Sequence, residues 1–264
     1  LSYIQIVLLG IIQGLTEFFP VSSSGHLVLF QNILGMKEPQ LFVDVMLHVG
    51  TLISLVVFLR KELISLAKGF WVFAKSPKMH YADPRIKVLF ALFVASVPTV
   101  IIGYFFSDFF ESLFASLRKV GLALIVTGGY LFLTKFAREK QRNFFVHPLI
   151  IGMLQGAAIV PGFSRSGLTI GGGIFLGWQR EEAARFSFLL SIPAILGAAL
   201  YQFSKIDVGA QSWTLILTGV SVSALFGYLA LALLVSVINR GKFYVFSFYC
   251  FLAGVIAIIF SFLI

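Results

Sequence analysis

The chain has 264 residues, of which 59% are hydrophobic and only 12% charged, with a mean hydropathy of +0.98. A soluble domain of this size could not hide so much apolar surface, and 30 Phe with 8 Tyr exclude a disordered chain, which leaves an integral membrane protein. The net charge of +9 would suit nucleic acid, but the basic residues sit between apolar runs, so a membrane and no nucleic-acid partner is expected.

Residues 1–34 are apolar but interrupted by Pro, Gly, Ser and charge, in LSYIQIVLLGIIQGLTEFFPVSSSGHLVLFQNIL. Pro20 should stop the helix before it, because proline lacks the backbone donor and clashes with the previous turn, and the serines that follow are loop chemistry. A helix, an irregular turn and a second short helix make a re-entrant hairpin, which survives at membrane depth only when buried in protein or facing water. The opening residues do not form a signal peptide, so none is expected to be removed.

Six uncharged or nearly uncharged runs approach the roughly 20 residues that cross a bilayer as helix. They are 42–59, 88–106, 119–136, 184–203, a span within 208–239, and 243–264. Asp44 and His48 are four residues apart in the first of these, near the outer interface, where a local hydrogen bond is expected in preference to catalysis. Residues 61–80, with Trp71 and spaced lysines, read as an amphipathic interfacial helix, and Pro98 and Pro193 as kinks in their spans. The stretch 143–180, containing HPLIIGMLQGAAIVPGFSRSGLTIGGGIFLGW, repeats the hairpin pattern with Pro161 as its break and Pro148 in its first turn. His80 and His147 fall at loops or helix starts. Cys250, the one cysteine, reads as a core filler and excludes a disulfide framework.

Placing the 60–87 loop on the cytoplasmic side puts Arg60, Lys61, Lys68, Lys75, Lys78, Arg85, Lys87, Lys135, Arg138, Lys140, Arg142, Arg180, Arg185, Arg240 and Lys242 inside. Only Lys37, Arg118, Lys119 and Lys205 are then outside, as the positive-inside rule requires.

The two hairpins resemble one another. Gln13-Gly14 recurs as Gln155-Gly156 and Ser22-Ser23-Ser24-Gly25 as Ser164-Arg165-Ser166-Gly167, both 142 positions on, while Pro20 and Pro161 depart from that offset by one. Three spans follow each hairpin, and an odd number inverts the second copy. The expected fold is therefore an all-α integral membrane domain over 1–264, with six transmembrane helices and two re-entrant hairpins in an inverted-topology repeat, 1–136 and 143–264. The hairpin tips should meet near the midplane.

A charge inside the bilayer costs about 2.5–3.5 kcal/mol on insertion scales, which makes Glu17, His26 and Arg165 functional candidates. Glu17 lies four residues after Gln13, on the same helix face, with Ser22, Ser23, Ser24 and His26 just beyond. Arg165 stands between Ser164 and Ser166, flanked by Gly162 and Gly167, a pattern that suits an oxyanion cradle of backbone N–H groups, helix N-terminus and guanidinium. Gly171-Gly172-Gly173 reads as close helix packing. Bland alternatives are a polar bridge between helices for Glu17 and an ion-pair partner for Arg165. Together the parts suit phosphoryl-group chemistry, which depends on positioning and charge neutralisation. An inverted-repeat transporter or lipid flippase is the rival reading.

The stretch QGLTEFFPVSSSGH resembles the (Glu/Gln)-x-x-x-Glu signature and serine–histidine segment of the undecaprenyl-pyrophosphate phosphatase family, the bacitracin-resistance type, and PGFSRSGLT resembles its second signature. The resemblance covers essentially the whole chain. It implies hydrolysis of undecaprenyl pyrophosphate to undecaprenyl phosphate and phosphate, recycling the lipid carrier for peptidoglycan, by a multi-pass enzyme of the bacterial cytoplasmic (inner) membrane whose site opens to the periplasmic side. It also implies that Glu17, Ser23, His26 and Arg165 are the essential residues, with Gln13, Ser22, Ser24, Gly162, Ser164, Ser166 and Gly167 around the phosphates. A divalent cation, Mg²⁺ or Ca²⁺, is implied as cofactor, with Glu17 its ligand; Gln13 in place of a second carboxylate puts a two-carboxylate site in doubt. Ser23 attack with His26 as base or acid, water activated by His26, and attack by His26 itself all remain open. A homodimer is compatible with the sequence.

Overall fold

The computed structural model describes residues 1–36, 40–77, 82–106, 116–138, 143, 145–205 and 212–262, without the side chains of 202–205. Lys37, Lys78, His80, Lys140, Arg142, the first residues of the 208–239 segment, the last two of 243–264 and the Lys205 side chain lie outside that description.

Among the described residues the architecture is helical throughout, with no strand. The elements in chain order are α1 (Tyr3–Phe18), α2 (Ser23–Ile33), α3 (Leu41–Phe58), α4 (Arg60–Lys75), α5 (Pro84–Phe105) and α6 (Leu117–Leu133). Then come α7 (Val146–Ala157), α8 (Arg165–Phe175), α9 (Arg180–Lys205), α10 (Trp213–Asn239) and α11 (Phe246–Phe260). Among the described residues, six helical stretches are long and apolar enough to cross a membrane: Leu41–Phe58, Pro84–Phe105, Leu117–Phe136, Arg180–Tyr201, Trp213–Asn239 and Phe243–Phe260. They fall on the six expected runs, and the protein is an all-α integral membrane protein.

Local signals set the element ends. α1 starts at a capping box in which Ser2 Oγ accepts from Gln5 N and Gln5 Oε1 accepts from Ser2 N. It stops at Phe18 because Phe19, preceding Pro20, is held extended at ψ 144°. Asp83 caps α5, with Pro84 in the first turn where its missing donor costs nothing. Pro98 and Pro193 lie inside α5 and α9, and α4 is amphipathic with Trp71 exposed.

The first helix of each proline-broken pair packs along the middle span of the other half of the chain: α1 lies against α10, and α7 against α5. α6 and α11 form a third close pair, and α3 runs between α9 and α10. These seams are lined by small residues, as expected where lipid supplies no hydrophobic drive and helices must gain dispersion contacts by close approach. A Cβ added at Gly152 of α7 would come 2.0 Å from Ala95 O of α5, one at Gly14 of α1 would come 2.8 Å from Ser223 O of α10, and one at Gly121 of α6 would come 2.8 Å from Gly254 O of α11. Gly171, Gly172 and Gly173 likewise abut Tyr130, Leu154 and Ala183, so that run serves packing. Outward faces remain apolar: α5 exposes Phe90, Phe93, Val97, Val100 and Ile101, a lipid-facing stripe.

Candidate active site

The two proline breaks supply the site. After Pro20, Ser22 adopts a positive φ of 67° and caps α2, its Oγ accepting from Gly25 N at 3.2 Å. After Pro161, Gly162 adopts φ 96° and Ser164 caps α8, its Oγ accepting from Gly167 N at 3.0 Å. The tips touch: Gly162 N donates to Ser22 Oγ at 3.1 Å, and Ser166 Oγ donates to the Phe19 carbonyl at 3.0 Å. Cys250, buried on α11, donates its thiol to the Pro20 carbonyl, which fits a core filler.

This contact brings Arg165 onto Glu17. The guanidinium Nη2 donates to Glu17 Oε1, while Oε2 accepts from Gln13 Nε2 at 2.8 Å and Ser23 Oγ at 2.7 Å and faces His48 Nε2 at 3.3 Å. Glu17 is 3% exposed through its side chain and Arg165 17%. A buried carboxylate is costly unless paired and hydrogen-bonded, and four groups from four separate elements meet that need here.

The cluster forms one wall of a cavity of about 300 Å³. Its polar side comprises Glu17, Ser22, Ser23, Ser24, Ser164 and Arg165, joined by Asp44 and His48 from α3. Leu27, Ile159, Phe163, Ile195 and Ala198 make the apolar side. Charge and hydroxyls set in a largely apolar lining suit a ligand with an anionic head and a hydrocarbon tail.

The model of the bacitracin resistance protein BacA family matches residues 6–256. The chain belongs to the BacA family. Among similar proteins, the undecaprenyl-diphosphatase of Desulfosudis oleivorans is 45% identical over 269 residues, covering 95% of this chain and 96% of that protein. Those of Desulfatibacillum aliphaticivorans and Halothermothrix orenii are each 40% identical, over 99% and 97% of this chain and 100% and 96% of theirs.

Within this BacA site, Gln13, Glu17, Ser22, Ser23, Ser24, Gly162, Ser164, Arg165, Ser166 and Gly167 lie together at the paired tips. His26 is turned elsewhere. Its Nδ1 lies 2.8 Å from the Ser22 carbonyl and its Nε2 2.7 Å from the Tyr249 hydroxyl of α11, and it does not line the cavity. Of the alternatives left open, Ser23 attack with His26 as its base lacks the contact it needs, because the Ser23 hydroxyl donates to Glu17. The reading of Asp44 and His48 as a merely local pair is corrected in part: His48 Nδ1 does donate to the Asp44 carbonyl at 2.6 Å, but both side chains face the cavity and His48 reaches Glu17. Gln31 holds the Asp44 carboxylate, Nε2 to Oδ1 at 2.7 Å. Spacing of four residues signalled that Asp44 and His48 share a helix face; Tyr249 and Gln31 carried no motif.

Among the described residues no three His, Cys, Asp or Glu side chains cluster closely enough to hold a metal unaided. Glu17 Oε2 and His48 Nε2 nevertheless stand side by side, and Gln13 Oε1 is buried without a hydrogen-bond partner next to them. That set fits a cation shared with substrate phosphates, the usual arrangement where protein supplies only one or two ligands.

Proposed function

We propose that this chain hydrolyses undecaprenyl diphosphate to undecaprenyl phosphate and inorganic phosphate, as the names of its relatives state for them. One observation carries the reading: a guanidinium and a carboxylate from opposite hairpins meet beside a serine hydroxyl on the wall of a cavity whose lining is otherwise largely apolar. Arg165 can grip two phosphate oxygens, and the N-terminus of α8 adds positive potential along the same direction. Ser23 Oγ, oriented by Glu17, attacks the terminal phosphorus and its proton passes to an oxygen of the diphosphate as the O–P bond forms. The bridging P–O bond breaks, undecaprenyl phosphate leaves, and water then releases phosphate from the serine. When bound, a divalent cation would neutralise diphosphate oxygens, held on the protein side by Glu17. His26 fixes the α1–α2 turn through Ser22 and Tyr249 and takes no proton from Ser23.

We place the enzyme in the bacterial cytoplasmic membrane with the cavity opening outward. With the basic 60–87 loop inside, the start of α3 and the end of α9 lie externally, and it is those ends that line the cavity. The test is phosphate release from undecaprenyl diphosphate by the purified protein in detergent. Release abolished in Arg165→Gln and Ser23→Ala supports the reading; uptake of a phosphorylated lipid by proteoliposomes without any phosphate release would replace it with the transporter.

A further inference from the structure

We propose that His48 Nε2 and Glu17 Oε2 are the paired protein ligands of the divalent cation, which makes this a mixed nitrogen–oxygen site suited to Mn²⁺ or Co²⁺ above Ca²⁺. The proposal rests on the cation-assisted phosphohydrolase reading above and adds to it a ligand that no signature of the chain marks.

The hydrogen on His48 Nδ1 follows from its neighbours. A backbone carbonyl can only accept, so the Nδ1 that lies 2.6 Å from the Asp44 carbonyl carries a hydrogen. In the neutral ring the lone pair is then on Nε2, the nitrogen turned toward Glu17. Nε2 and Oε2 stand 3.3 Å apart, a spacing that a shared proton or a shared metal ion can bridge. Ligands bonded at about 2.0–2.2 Å to one ion at tetrahedral or right angles are themselves roughly 3.0–3.4 Å apart, which is the spacing found. The carbonyl on Nδ1 is the outer partner that metal-bound histidines use to fix their tautomer and ring orientation.

The surroundings leave room for substrate to complete the shell. The His48 side chain is 26% exposed, toward the cavity that also holds Arg165 and the serines. Gln13 stands where a second carboxylate would otherwise serve, and turning its amide end for end would present its partnerless Oε1 beside Oε2. Arg165 stays on Oε1, so guanidinium and cation occupy opposite sides of one carboxylate. An imidazole nitrogen favours borderline transition ions, whereas Ca²⁺ and Mg²⁺ prefer oxygen throughout.

The experiment uses the full chain in detergent with Mn²⁺ and a non-hydrolysable methylene-bridged farnesyl diphosphonate, read by pulsed EPR. Wild type should show a ¹⁴N coupling from one imidazole, lost in His48→Gln and kept in His26→Asn, with the Mn²⁺ Kd of His48→Gln raised at least tenfold and Ca²⁺ competing more effectively than in wild type. Bound Mn²⁺ without nitrogen coupling in wild type, a measurement that needs no variant, overturns the ligand assignment while leaving the cation reading intact. A coupling that survives in His48→Gln also overturns it. Hydrolysis in EDTA together with no Mn²⁺ bound alongside the analogue removes the cation reading itself, and this proposal with it.

Discussion

Gly162→Ala tests whether the contact between the two tips sets the rate. The added Cβ would stand 2.4 Å from Val120 O and 2.7 Å from Ala123 Cβ, whereas ordinary contact begins at 3.4 Å, so the tip must retreat by about 1 Å from helix α6. At φ 96° an L side chain is also strained, at a cost of roughly 1–2 kcal/mol. Retreat loosens the bonds from Gly162 N to Ser22 Oγ and from Thr127 Oγ1 to Gly162 O, and it carries Arg165, three residues on, with it. A misplacement of about 1 Å can cost on the order of 100-fold in rate. We therefore expect kcat for phosphate release from undecaprenyl diphosphate to fall about 100-fold, with a lower Tm. Gly129→Ala, where nothing lies within 4 Å of the new Cβ, should behave as wild type. A Gly162→Ala enzyme with kcat within about threefold of wild type would refute the reasoning, because that is far below the loss a 1 Å displacement implies.

Glu17→Gln should abolish turnover and destabilise the protein, since an unpaired buried charge costs about 3–5 kcal/mol; the double variant Glu17→Gln/Arg165→Gln should melt higher than Glu17→Gln alone, and equal melting would mean the pair is uncoupled. Tyr249→Phe removes one hydrogen bond to His26, worth about 0.5–1.5 kcal/mol, and should lower kcat roughly three- to tenfold with an unchanged pH profile. A displaced pH limb in that variant would instead make His26 a proton carrier. Ala198→Cys in a Cys250→Ala background should react with an impermeant thiol reagent added from outside intact cells and be protected by a diphosphate analogue; labelling only after permeabilisation would reverse the assigned opening.

Much of this site could be read before any fold was known. Charge is so costly in hydrocarbon that Glu17 and Arg165 identify themselves, and two proline-broken hairpins separated by three spans are expected to enter from opposite sides. The direction in which His26 points could not be read, because its partner Tyr249 is 223 residues away and belongs to no motif. His48 was visible as one half of an i, i+4 pair with Asp44, yet helical spacing says only that two residues share a face. Which face turns inward depends on how α3 packs against α1, α9 and α10.

What the sequence alone determined was therefore the set of helices and the two breaks between them, since apolar length and proline act within a few residues of chain. Tertiary structure alone decided which donors surround the Glu17 carboxylate. Gln13 and Ser23 reach it from the same hairpin, but His48 and Arg165 arrive on other helices, brought within reach only because the glycine-lined seams hold those helices at close quarters.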